Sequence, residues 1–215
     1  MLRLTVGERA ERALDVLCIG AHSDDIEIGC GGTVLRLLAE RPGSRVHWVV
    51  LSANTEREQE ARASATDFLA DAGEAQVDIL HFRESYFPYV GIEIKDFFND
   101  LRRRFEPELV FCHHRFDEHQ DHRTIGELAW NTFRNHLICE FEIPKYEGDL
   151  GKPNLFVDLP PEIVKRKAEL IMKHFGSQHD KYWFRPETFA GLIALRGVEA
   201  GVSAAEGFHV RKLVI

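Results

Sequence analysis

One imidazole and three carboxylates, His22, Asp24, Asp25 and Glu27, stand within six residues of one another. Acids crowded in this way repel and raise each other's pKa values, whereas a divalent cation among them reverses the effect and keeps them ionised. The grouping points to a metal site. A second polar stretch, His113-His114-Arg115-Phe116-Asp117-Glu118-His119-Gln120-Asp121-His122, adds further imidazoles. Catalytic zinc sites commonly draw three ligands from His, Asp and Glu and leave the fourth position to water. The first stretch can supply His22 and one aspartate, and the second a histidine. Bound metal brings the pKa of that water to about 7, and a neighbouring carboxylate can take the proton. Adjacent side chains on a tight turn diverge, so one aspartate can bind metal while the other faces the water.

Such chemistry needs two loops held side by side. Val16-Leu17-Cys18-Ile19 is a short apolar run stopped by Gly20, which reads as a buried strand carrying the first stretch at its carboxyl end. Leu109-Val110-Phe111-Cys112 does the same for the second. Further strands are predicted over 46–51 and 77–82, and helices over 33–40, 56–72, 92–105 and 123–135. Short strand-like pieces follow at 139–146 and 155–159, then a helix over 161–175 and an alternating tail, 208–215, read as ending on a sheet edge. This alternation predicts one α/β domain spanning 1–215, a Rossmann-like parallel sheet with helices on both faces and ligands at the carboxyl ends of its strands.

Other readings of the first loop are weaker. Gly29-Cys30-Gly31-Gly32 lacks the G-x-G-x-x-G spacing of a dinucleotide loop, and the acids before it would repel a pyrophosphate. Helix capping needs one acid and leaves the histidine and the other two unexplained. A net charge of −8 argues against a nucleic-acid partner, and Arg102-Arg103-Arg104 reads as a solvated helix face. No apolar run reaches the ~18 residues that span a membrane, so membrane insertion is not expected. The apolar segment 13–21 is broken by Asp15 and reads as strand, not as a signal peptide. Cys18, Cys30, Cys112 and Cys139 form no C-x-x-C pair and suit a reducing cytoplasm.

Ala21-His22-Ser23-Asp24-Asp25-Ile26-Glu27, with Gly29-Cys30-Gly31-Gly32-Thr33, resembles the AHPDDxE signature of the PIG-L/LmbE family of zinc-dependent N-deacetylases. His119-Gln120-Asp121-His122 is similar to the family's second motif, HPDH, and Arg57-Glu58-Gln59-Glu60 to its R-x-x-E. Weaker likeness through Ser177-Gln178 and from Arg196-Gly197 to Phe208 extends it over nearly the whole chain. The resemblance implies an LmbE-like three-layer fold and a Zn2+ cofactor held by His22, Asp25 and His122. It further implies Asp24 as general base, His119 as general acid and Asp121 as the residue orienting a histidine. Glu27 is expected beside the ligands or bonded to backbone at the helix start. Ser23 and Gln120 stand where the family's motifs show proline, a departure that removes a rigid residue from each turn and no ligand.

The expected substrate is an N-acetylated amino sugar, such as an N-acetylglucosamine conjugate, and the resemblance allows a homo-oligomer with an interface in segment 139–159. Arg57 is expected to clamp a sugar hydroxyl or phosphate, or else to pair with Glu58 or Glu60. His113 and His114 read as hydrogen-bonded loop histidines before pocket-lining ones, and Trp183, Phe184 and Phe189 as core before a sugar-stacking wall. Two histidines and a carboxylate also describe an Fe2+ oxygenase site, which the α/β pattern disfavours, and a sugar- or nucleotide-binding module would need neither Asp24 nor His119. The division of labour between the aspartates has a direct check. Asp25→Ala should abolish metal uptake, while Asp24→Ala should retain metal and lose turnover; equal metal loss in both variants, measured by metal analysis, refutes it.

Overall fold

In a computed structural model, which describes residues 12–213, the strands are β1 (Asp15–Gly20), β2 (Arg45–Val50), β3 (Glu74–Ile79), β4 (Leu109–His113), β5 (Leu137–Phe141), β6 (Leu155–Asp158) and β7 (Ala205–His209). The helices are α1 (Asp25–Glu40), α2 (Thr55–Phe68), α3 (Gly91–Arg104), α4 (Gln120–Thr132), α5 (Pro161–His174) and α6 (Pro186–Ala200). All seven strands share one sheet, in the order β3-β2-β1-β4-β5-β7-β6. The first five run parallel, as expected, while β7 lies antiparallel to both β5 and β6.

Alternate residues of β1 serve two different cores. Val16 and Cys18 pack with Ile26, Phe68 and Ile171 from α1, α2 and α5, whereas Leu17 and Ile19 pack with Ile94, Phe98, Ile125 and Ala129 from α3 and α4. Two buried faces are why β1, β2 and β4 are largely apolar on both faces. The result is the expected α/β arrangement in three layers. Chain order reverses at β1, which has β2 on one side and β4 on the other, and the crevice at their carboxyl ends is where such sheets bind ligands.

Four details depart from expectation. Helix α1 begins at Asp25 and α4 at Gln120, eight and three residues before the predicted starts, so the motif residues occupy first helical turns. Glycine costs about 1 kcal/mol per helical position, but Gly29 lets the α1 backbone lie directly on the Phe141 ring. Packing therefore overrides propensity here. Helix α6 was not anticipated, although Pro186 at its first turn and Gly201 just past its end, at φ 71°, are the usual punctuation of a helix. The tail strand covers Ala205–His209 and sits between β5 and β6, leaving β6 at the edge. Residues 214–215 of the predicted strand lie outside the described residues.

A buried ion pair anchors α1 from behind. Lys167 Nζ donates to Ile28 O at 2.7 Å and to Glu206 Oε1 at 2.6 Å, and Glu206 accepts from the N–H groups of Gly32 and Thr33 at 2.9 and 2.7 Å. These bonds tie α5 and β7 to the helix that carries the first motif. All four cysteines are free and buried, and no helix among the described residues is long and apolar enough to cross a membrane.

On the other face α4 approaches β4 and the loop after it without a side chain between. A Cβ on Gly126 would lie 2.8 Å from both Arg115 Cα and His113 O, which are backbone atoms that cannot rotate away. Gly126→Ala should therefore destabilise the fold by about 1–3 kcal/mol. Urea unfolding should show the lowered midpoint; an unchanged midpoint refutes this packing account.

Candidate metal centre and active site

Both polar stretches leave parallel neighbouring strands and turn at once into a helix. After β1 the His22 N–H donates to Asp25 Oδ2 at 2.6 Å, curling the loop so that the two side chains share one space. Asp24 takes the N-cap position of α1 and His119 that of α4. A carboxylate at a helix amino terminus is favoured by the helix dipole.

His22 Nδ1 lies 3.2 Å from His122 Nε2 and 3.4 Å from Asp25 Oδ2, while Asp25 Oδ1 lies 3.6 Å from His122 Nε2. With metal–donor lengths of ~2.1 Å, neighbouring donors of a tetrahedral zinc ion stand about 3.4 Å apart. The donor set and its spacing fit such an ion. Two overlapping groups of convergent donors meet at His122, one with His22 and His119, the other with Asp25 and His113.

His113, for which the sequence left pocket lining as the lesser alternative, reaches the centre. It ends β4, fully buried, with Nε2 2.9 Å from the Ala21 amide and 3.0 Å from Asp25 Oδ2, and its ring stacks on His122 at 3.9 Å. The signal was available: alternation along β4 places His113 on the same face as Phe111, the α1 side. His114 points to the other side and stacks on His209 at 4.0 Å.

Two imidazoles of the centre, His22 and His122, have a carboxylate as outer partner. Asp121 Oδ2 lies 3.3 Å from His22 Nε2 and accepts the Ser85 N–H at 2.6 Å, and Oδ1 accepts the Phe87 N–H at 3.1 Å. The histidine beside Asp121 is thus His22. Asp117 Oδ2 lies 3.2 Å from His122 Nδ1 and 3.0 Å from Lys145 Nζ, and Oδ1 accepts the His119 N–H at 2.8 Å. Asp117 and Lys145 were both missed, because only folding brings the segment after β5 to the second motif. The His119 ring lies edge-on to His22, with centroids 5.1 Å apart, and its buried Nδ1 has no hydrogen-bond partner among the described residues.

Arg57 makes neither of the helix-surface pairs considered for it. Its Nη2 stands 2.8 Å from Asp24 Oδ1, while Glu58 pairs with Arg62 and Glu60 accepts from the N–H and Oγ of Ser177. Phe184 and Phe189 are core residues, and Trp183 packs edge-on against both, so no sugar-stacking wall forms there.

The three acids of the first motif are driven apart in proton affinity. Burial opposes the charge on Asp25, but His122, His113 and His22 outweigh it and hold the carboxyl well below its ordinary value. Burial raises Asp24 in spite of Arg57 and pushes Glu27, which forms no ion pair among the described residues, up to about 8. Burial also works against a proton on His22, yet Asp25 and Asp121 raise it to about 10. Burial and the neighbouring His113 lower His122 to about 3. His22 keeps a proton among the donors a cation would use, and His122 turns a neutral ring nitrogen toward it. The arrangement can exchange that proton for a metal ion and present a flanking carboxylate, Asp24, and imidazole, His119, for proton transfer.

The chain is similar over most of its length to known proteins. The chain is 26% identical to the diacetylchitobiose deacetylase of Thermococcus kodakarensis over 223 residues, covering 90% of this chain and 82% of that one. The structure of the N,N'-diacetylchitobiose deacetylase from Pyrococcus horikoshii matches with a TM-score of 0.72 and 25% identity, over 93% of this chain and 84% of that one. GalB, the 4-carboxy-2-hydroxymuconate hydratase of Pseudomonas putida KT2440, shares the fold with a TM-score of 0.76 at 20% identity, over 94% and 98% of the two chains. A family profile, GlcNAc-PI de-N-acetylase (PIG-L), matches residues 17–133, a span that holds most of β1, all of β4 and every residue of both motifs. The chain belongs to the PIG-L family.

Proposed function

We propose that this protein is a zinc-dependent hydrolase that removes the acetyl group from the amide nitrogen of an amino sugar or sugar conjugate. The observation that carries the reading is the convergence of His22, Asp25 and His122 at tetrahedral spacing, flanked by Asp24 and His119. Family membership and two diacetylchitobiose deacetylases among the relatives support an acetamido sugar as substrate. When bound, the metal would polarise the amide carbonyl and acidify water.

His22, Asp25 and His122 would hold the ion, with Asp121 and Asp117 fixing the outer nitrogens of the two imidazoles. Asp24 takes the proton from the attacking water, and the Arg57 guanidinium beside it favours the ionised carboxylate that this requires. Arg57 Nε is buried and has no hydrogen-bond partner among the described residues. His119 gives a proton to the departing amine. The amide C–N bond breaks, a C–O bond forms, and acetate and a free amine leave. The buried free thiols support a cytoplasmic location.

Amine release from a panel of N-acetylglucosamine conjugates should disappear on chelation and return with zinc. No release from a sample with zinc demonstrably bound overturns the deacetylase reading. Metal uptake itself should depend on pH, because the ion displaces the proton that His22 holds to about 10. Apparent affinity should rise by up to about tenfold per pH unit through the neutral range as that proton becomes easier to remove. In metal-free protein the same raised value contributes stability below the ordinary imidazole pKa of ~6.5, which is lost as pH climbs toward 10. Titration calorimetry in buffers of different ionisation heat should register the released proton; none released at pH 7 refutes the raised His22 proton affinity.

A further inference from the structure

Residues 83–90 connect β3 to α3 and press against the centre. Phe87 is fully buried and stacks on His22, with ring centroids 6.2 Å apart, and Glu84 lies near enough for His22 and Arg57 both to feel its charge. Ser85 is the one non-glycine among the described residues with positive φ, at 68°. A β-carbon is disfavoured in that left-handed region, so the surrounding structure has to impose the conformation. The second motif supplies the bonds. Asp121 accepts the N–H groups of Ser85 and Phe87, and the Gln120 amide donates to Ser85 O.

We infer that Gln120 is a positioning residue that, with Asp121, clamps segment 83–90 into its left-handed turn and so sets one wall of the substrate site. A proline at position 120 would have no side-chain amide to reach Ser85 O. The glutamine gives the second motif a bond to a different loop, and through it the wall that carries Glu84 and Phe87 is held in register with His22. The ligand met by that wall is the part of a sugar conjugate beyond the acetamide, a role that rests on the deacetylase reading above. The clamp itself does not.

Two readouts separate the clamp from that reading. Hydrogen exchange of the Ser85 and Phe87 amides should quicken by about fivefold in Gln120→Ala, the size expected for one lost hydrogen bond. It should return toward the parent rate in Gln120→Ala/Ser85→Gly, because glycine adopts a positive φ without steric cost. On an N-acetylated disaccharide, Gln120→Ala should raise KM by a similar factor and leave kcat within about twofold, with zinc content unchanged, and the double variant should restore KM. Unchanged exchange in Gln120→Ala, or failure of Ser85→Gly to rescue exchange, overturns the clamp whether or not the protein proves to be a deacetylase. Restored exchange with KM never altered overturns the wall.

Discussion

The Asp25 carboxylate is the group on which the rest of the centre depends. It is buried, it sits in the first turn of α1, and it is approached by His22, His113 and His122. An isolated carboxylate in such a place would be expelled or neutralised, since losing its water costs several kcal/mol or more. Three imidazoles and a helix amino terminus replace that water. For them to converge, β1 and β4 must be neighbours and both of their loops must turn immediately into helices. The strand order supplies the first condition and the early starts of α1 and α4 supply the second.

Around that carboxylate the fold sorts chemically identical groups into different roles. Asp24, Asp25 and Glu27 are near neighbours in sequence, yet one is held strongly ionised by imidazoles, one is raised by burial while facing a guanidinium, and one is pushed by burial to about 8. Burial thus favours the neutral form of Glu27 beside the other two. The histidines divide in the same way, His22 upward through Asp25 and Asp121 and His122 downward through burial. Pairs of titratable groups pushed apart by their surroundings are the pattern expected where one group must hold a charge and its neighbour must pass a proton.

Support for the centre comes from well beyond it. Lys167 and Glu206 hold the glycine-rich part of α1, although they belong to α5 and β7. Lys145, from the segment after β5, stands against Asp117, and Glu60 on α2 holds the Ser177 backbone. Buried ion pairs of this kind bring little net stability after desolvation. Their value here is geometric, because each fixes one element of the site against an element distant in sequence.

Residue types and spacing pointed to a metal site, and the likeness of the two motifs to those of the PIG-L/LmbE family pointed to N-deacetylation. An apolar run stopped by glycine, followed by one histidine and clustered acids, specifies a polar loop at a strand end, and two such loops in an alternating chain specify an α/β crevice. His22, Asp24, Asp25, Arg57, His119, Asp121 and His122 could all be named from local sequence, because each lies in a motif whose members are close in the chain. What only the tertiary structure decided were the relations between segments: His113 beside Asp25, Asp117 bridging His122 and Lys145, Arg57 turned onto Asp24, and Ser85 held by the second motif. The helical state of the glycine-rich run and the internal place of β7 were settled the same way. Local propensity reports on neighbours along the chain, whereas these features depend on packing and on charges that come together only when the sheet has formed.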